Sequence, residues 1–336
     1  MIFRTPSYYK SFRCIADKCT DNCCIGWEIA IDSETADFYK SLGGDFGERL
    51  CQNISDDNTF ILKGERCPFL NGDNLCDIII NCGEDKLCQI CRDHPRYFEW
   101  YSNIKEGGVG LSCEEAARLI LTCDKVTYDE ARVCEDEEEV DEELFSILFS
   151  AREEIFSLLE RDEKSFSENA GDILRFAHRL QFLLDNPHLS DEDYVRCEQI
   201  KGTSDWKSVL EFFGETEPID DFWKSEYDRL CTQSSINVEN SETCQAYERN
   251  IFRYFIWRYF LKGVFDGEIL SKVKLAAVSV VMIKAMTDGS DEIQVWIEKS
   301  KLYSKQMEYS DENRELFYDM SYERDCFGVG QLCGLI

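Results

Sequence analysis

The chain has 336 residues, 43% hydrophobic and 31% charged, which is enough apolar material for a packed core and excludes global disorder. At roughly 150 residues per domain, two domains are expected. The formal net charge of -30 excludes a binder of phosphate backbones or anionic membranes, and it suits either a basic partner or solubility alone.

The N-terminus has no apolar run behind a basic start, so no secretory signal is expected. The most apolar later stretch, Leu275 to Ile283 between Lys274 and Lys284, falls short of the about 20 residues a bilayer span needs. These features predict a cytoplasmic protein without a membrane span. In a reducing compartment dense cysteine points to metal rather than disulfides.

In chain order, Trp27 to Ile31 alternates like a short strand, and a helix should begin near Asp32-Ser33-Glu34. Thr59 to Leu62 predicts a second strand, and Cys67 to Asp73 a hairpin or turn, since Asn-Gly and Gly-Asp favour turns. Gly107-Gly108-Val109-Gly110 reads as a flexible turn, and Glu114 to Cys123 as a helix. Residues 1–128 carry 14 Lys+Arg and 21 Asp+Glu; the remainder carries 23 and 46. The acidic run Glu135 to Glu143 repels itself and predicts a linker or a solvated helix start. The expected division is therefore a cysteine-rich unit, 1–128, and a helical unit, 129–336.

Beyond the run, apolar residues recur at three- and four-residue spacing over Leu144 to Leu159 and Ile173 to Leu184, the second stretch stopping before Pro187. Tyr247 to Phe260 is apolar nearly all round and predicts a central helix; Ile269 to Met286 predicts another buried one. The expected fold is mainly α, with an irregular cysteine-rich, metal-binding N-terminal domain packed on a helical C-terminal domain.

Thirteen of the 18 cysteines lie at or before Cys134. Cys197, Cys231, Cys244, Cys326 and Cys333 are scattered and read as packing or inert thiols. Cys14, Cys19, Cys23 and Cys24 form one group, Cys67 and Cys76 a second, Cys88 and Cys91 a third, and Cys113 follows. These nine are the candidate metal ligands, because thiolates are soft donors for zinc or iron–sulfur clusters. The adjacent Cys23 and Cys24 are expected to point apart, which favours two metals or a cluster plus a second site. His94, three residues past Cys91, reads as a ligand, a neighbour of one, or a structural hydrogen-bonding group.

Phe12-Arg13-Cys14, Cys19, Cys23-Cys24, Cys67-Pro68-Phe69-Leu70, Leu75-Cys76, Leu87-Cys88, Cys91, Pro95-Arg96 and Leu111 to Leu119 together resemble the flagellin lysine-N-methylase family, part of a wider group named for its CxxCxxCC pattern. Asn250 to Asp266 and Tyr303-Ser304-Lys305-Gln306-Met307-Glu308 to Asn313 resemble its longer members. The four- and three-residue gaps of the first group depart from the tighter spacing in the group's name. The resemblance implies a metal or iron–sulfur centre, 4Fe-4S or alternatively zinc, and methylation of lysine side chains with S-adenosylmethionine. The implied partner is a protein with exposed lysines, such as flagellin.

The residues themselves offer no Gly-x-Gly loop behind a strand and no Cys-x3-Cys-x2-Cys loop, so neither a Rossmann nor a radical S-adenosylmethionine site is expected. Asp93, His94 and Tyr97 are candidates for the base that frees a lysine amine of its proton. The alternatives are a metal-stabilised interaction module that captures a basic protein, and a redox or metal-storage protein.

Overall fold

The computed structural model describes residues 1–20, 22–26, 28–197, 205–235 and 241–336, without the side chains of 195–197. Helices dominate, as the periodicity predicts. Glu142–Leu159 starts at Asp141, whose side chain accepts the Leu144 N–H at 2.9 Å. Phe166–Asp185 opens with a reciprocal capping box between Ser165 and Glu168. Glu242–Tyr259 and Leu270–Thr287 cross at the centre of the molecule, and every residue of the second is buried. It ends at Asp288 and Gly289, both with positive φ. Ile293–Glu308, Asp311–Glu323 and Val329–Leu335 complete the packing. The acidic run is exposed and irregular until it enters the Glu142 helix. No helix among the described residues is long and apolar enough to cross a membrane.

A four-stranded sheet is the element the sequence reading lacks. Its strands are β1 (Ile2–Pro6), β2 (Arg96–Tyr101), β3 (Ile104–Val109) and β4 (Tyr128–Arg132), in the order β2-β3-β1-β4. β1 runs parallel to β3 and antiparallel to β4, with Ile2 opposite Ile104 on one side and Arg132 on the other. Gly107 and Gly108 are not a turn but part of β3. A Cβ on Gly107 would lie 2.9 Å from the Phe3 ring and 3.3 Å from that of Phe98, and one on Gly108 would lie 2.3 Å from the Tyr97 hydroxyl. Glycine is needed there because aromatic side chains of the neighbouring strands lie across β3.

Two apolar clusters divide the molecule. The larger joins Tyr8, Tyr101, Val109 and Leu111, the Glu114–Leu121 helix and the later helices. Arg152, fully buried, locks the Glu142 helix to β3 by a two-pronged bond to Glu106 at 2.5 and 2.6 Å. The smaller cluster contains Ile29, Tyr39, Leu50, Phe60, Phe69 and Ile78 together with Cys67 and Cys88. It forms a lobe inserted between β1 and β2. The charge-based division at 128/129 coincides with the start of β4, which pairs along its length with β1.

The lobe is built of short helices, Ser33–Ser41, Gly44–Gln52, Asp77–Cys82 and Gln89–Asp93. The expected strands at 27–31 and 59–62 are single bridges, Ala30 to Thr59 and Ile54 to Phe60, and Trp27 lies outside the described residues. Helix formation begins immediately after Ile31, with Asp32 as cap, so no ladder can extend. The turn expected at Cys67 to Asp73 is present and closes with a Leu70–Cys76 bridge.

Candidate active-site cleft and thiol cluster

Backbone hydrogen bonds explain how distant cysteines meet. The Cys67 N–H donates to the Cys24 carbonyl at 2.8 Å, and the Leu70–Cys76 bridge brings Cys76 back beside that turn. Cys88 precedes the Gln89–Asp93 helix, whose Arg92 N–H donates to the Cys88 carbonyl at 3.0 Å; Cys91 lies on the same turn. Cys67 and Cys88 are core residues of the lobe, and Cys24, Cys76 and Cys91 pack against them.

The thiols interact in pairs. Cys24 donates to Cys23, which pulls the Cys23 thiol down to about 5; burial opposes the shift and His94 reinforces it. The same bond, followed by burial, drives the Cys24 thiol far up. Cys88 and Cys91 repeat the arrangement, with Cys88 lowered and Cys91 raised by their shared hydrogen bond. In each pair the shared hydrogen bond thus favours ionisation of one sulfur and opposes that of the other. Burial pushes Cys67 up to about 11 and raises Cys76, and each feels the charge of neighbouring thiols. Cys23 and Cys24 therefore do not point apart as expected. They sit in a tight turn, where the Asn22 side chain accepts the Cys24 N–H at 2.9 Å, rather than in a strand that would send successive side chains to opposite faces.

Cys113 is pushed up to about 12, first by burial, and interacts with Cys19 and Cys23. The Cys19 thiol donates to Glu114 Oε2 at 3.7 Å; that carboxylate also accepts the Thr20 N–H at 2.8 Å and lies 3.6 Å from Lys301 Nζ. Cys14 is exposed, and its sulfur accepts the Ala16 N–H at 3.4 Å. Eight of the nine candidate ligands thus belong to two contiguous groups that meet at Cys23-Cys24. Among the described residues no disulfide joins the cysteines, and no three His, Cys, Asp or Glu side chains are already posed as a coordination sphere. Of the scattered cysteines, Cys244 and Cys326 are buried, Cys333 is half-buried and Cys231 is exposed; the side chain of Cys197 lies outside the described residues.

A cleft of about 580 Å³ separates the lobe from the helical body. Asp32, Asp93 and His94 line its lobe side, and Tyr97, Arg258, Glu308 and Tyr309 its body side. The three candidate bases therefore share one cavity, and the contact of His94 with Cys23 joins that cavity to the thiols. Arg258 and Glu308 fall within the two later stretches that resemble longer family members, where the sequence assigns neither a role. Glu308 accepts hydrogen bonds from Tyr254 and Tyr259, both at 2.9 Å, and from Ser304 at 2.5 Å, and lies 2.9 Å from Arg258 Nη1. Its side chain is 1% exposed, a buried charge balanced on every side. The Tyr309 and Ser112 hydroxyls, 2.8 Å apart, link this wall to the Cys113 turn.

Fold and site define a mainly helical protein with a small sheet, whose thiol-rich lobe borders a cleft lined by both charged and apolar side chains. No family model matches the chain, and no solved structure matches it. Over 130 residues, 34% of the chain, it is 29% identical to "Flagellar biosynthetic protein FliU" of Salmonella muenchen. It is 28% identical, again over 130 residues, to "Lysine-N-methylase" of Salmonella typhimurium and of Salmonella choleraesuis. The matched stretch spans 75% of the first relative but 31% of each of the other two. Over this stretch the chain is similar to these lysine-N-methylases, of whose length the match spans about a third.

Proposed function

We propose that this chain is a cytoplasmic protein-lysine methylase that uses S-adenosylmethionine to methylate flagellin or a similar protein. The observation that carries the reading is the cleft itself, which brings Asp93, His94 and Tyr97 together beside the thiols in a chain related to lysine-N-methylases. The lysine Nζ lone pair would form the new bond to the methyl carbon. The carbon–sulfur bond would break with its electron pair passing to sulfur, and the amine proton would leave. Partial enclosure by Tyr97 and Tyr309 disfavours the charged amine, and Asp93 or His94 can accept its proton. Glu308 is unsuited to that role because its oxygens are already engaged by Tyr254, Tyr259, Ser304 and Arg258.

The donor set also fits a soft metal ion or a 4Fe-4S cluster, with zinc as the alternative. Cys24, Cys67, Cys76, Cys88 and Cys91 gather in one small core, a concentration of soft donors that suits such a centre. Cys19, Cys23 and Cys113 would complete the set, with Cys14 as the outermost candidate. When bound, such a centre supplies Lewis acidity beside the cleft.

Anaerobically purified protein incubated with methyl-labelled S-adenosylmethionine and flagellin tests the assignment. Label appearing on flagellin lysines is the expected result. Retention of flagellin without label would instead favour a binding module.

A further inference from the structure

We propose that Arg258 anchors the amino-acid carboxylate of the methyl donor in the cleft. This rests on the methylase reading and adds to it the group that recognises one end of the donor.

Arg258 lies near the end of the buried Glu242–Tyr259 helix, a rigid support. Its guanidinium carbon lies over two rings, 4.4 Å from the Tyr97 centroid and 5.4 Å from that of Tyr259. Nη1 is committed: it donates to the Tyr254 hydroxyl at 2.6 Å and lies 2.9 Å from Glu308 Oε1. Among the described residues, Nε and Nη2 donate to nothing, and neither is a sealed, unsatisfied atom. The side chain keeps 19% of its surface and lines the cleft. Nε–H and the adjacent Nη2–H form two parallel donors on one edge, the geometry that receives a carboxylate.

The surroundings keep that edge available. Glu308 is engaged by three hydroxyls as well as Nη1, so it does not need the other edge. Asp32, across the cleft, spends both oxygens on the Thr35 and Gln89 amides. Gly110 lines the cleft beside the guanidinium, and a Cβ there would stand 3.4 Å from Nη1 and 3.5 Å from the Pro95 carbonyl. The cleft, at about 580 Å³, also falls in the size range of small-molecule sites.

Calorimetric binding of S-adenosylmethionine and of its decarboxylated analogue to the full chain tests the proposal. The analogue is the more cationic ligand, and long-range attraction to a protein of charge -30 favours it. Weaker binding of the analogue therefore reports a local carboxylate contact. A charge-assisted fork predicts that it binds at least about 10-fold more weakly. In Arg258→Lys, which keeps a charge for Glu308 but loses the fork, that ratio should fall to about 3 or less. The ratio in the native chain needs no variant, because the two ligands differ only in the carboxylate, and it keeps the test decisive if Arg258→Lys misfolds by circular dichroism. Metal content measured on the same samples guards against indirect loss of a metal-held carboxylate. Equal binding of the two ligands by the native chain, or a ratio unchanged in folded Arg258→Lys, overturns the anchor. If flagellin is still methylated in that case, the methylase reading stands; if the native chain neither binds S-adenosylmethionine nor transfers methyl, both fall.

Discussion

Asp32 Oδ2 accepts the Gln89 N–H at 2.8 Å, while Oδ1 of the same carboxylate accepts the Thr35 N–H at 2.9 Å. One side chain thus caps two helices, its own and the turn that carries Cys91. Burial opposes ionisation, but the two backbone bonds prevail and hold the carboxyl below its ordinary range. The stabilisation is present above the unfolded carboxyl's range and is lost as pH falls through the lowered folded value. Asp32→Ala should cost about 1–2 kcal/mol, lower metal content and expose Cys88 to thiol reagents. Asp32→Asn, which keeps one acceptor oxygen, should fall between. Unchanged urea midpoints and thiol reactivity in both variants would refute a capping role.

The thiol cluster predicts a graded response to cysteine removal. Cys88→Ala and Cys91→Ala should each reduce bound metal and soluble yield, because thiolate ligation couples metal content to folding of the lobe. Cys231→Ala should do neither, since that thiol is exposed on a helix outside the lobe. Metal analysis and visible absorption of anaerobically purified protein measure the outcome. Equal metal in all three variants would remove Cys88 and Cys91 from the ligand set.

Much of this was legible because helices announce themselves locally. Three- and four-residue spacing finds the Glu142, Phe166, Glu242 and Leu270 helices, and a Ser165–Glu168 capping box is a short-range signal. The sheet was not legible, because β1 and β4 are separated by over a hundred residues and β2 reads Arg-Tyr-Phe-Glu-Trp-Tyr, without apolar alternation. The aromatic faces of that sheet are covered by cations instead, with Lys105 Nζ 4.8 Å from both the Phe98 and Trp100 rings. The cysteines were conspicuous by type and density, whereas Arg258 and Glu308 lay in family-like helical stretches with no local feature to give either a role. Their meeting depends on two helices packing, a tertiary event with no local signature.

Lys274 provides a test of the buried helix. Read from sequence, it marks the edge of an apolar run, yet it is buried and donates to the Ser321 carbonyl at 2.5 Å. Burial pushes its amine down to about 8, below the ordinary lysine range. The unfolded chain therefore binds this proton more tightly, and stability should rise with pH between about 8 and about 10.5. Below that window the protein carries the full cost, about 3 kcal/mol, against which the bond to Ser321 returns about 1 kcal/mol. Lys274→Met should thus be the more stable protein at pH 7, by up to about 2 kcal/mol, with the advantage shrinking toward pH 10.5. Paired urea titrations at several pH values measure it. A difference that does not vary with pH would show that Lys274 titrates normally.

The acidic connection between β4 and the Glu142 helix tests whether charge guides a basic substrate. Residues 134–139 are exposed, and Glu135 is held by Lys105 at 2.7 Å and by the Trp100 indole at 3.0 Å. Asp136, Glu137 and Glu139 are therefore the carboxylates to neutralise, since changing Glu135 would also disturb the sheet. If long-range attraction draws lysine-bearing segments in, methyl transfer at low flagellin concentration should slow as salt rises from about 20 mM to about 0.3 M, because the screening length falls from on the order of 20 Å to about 6 Å. The triple Asp136→Asn, Glu137→Gln, Glu139→Gln variant should start slower and show a shallower salt dependence, with the rate at saturating flagellin unchanged. Local side-chain pairs would be screened far less, so the steepness of the salt response separates steering from contact. An apparent second-order rate indifferent to both salt and neutralisation would assign this charge to solubility alone, and it would leave the cleft, its thiols and the proposed chemistry untouched.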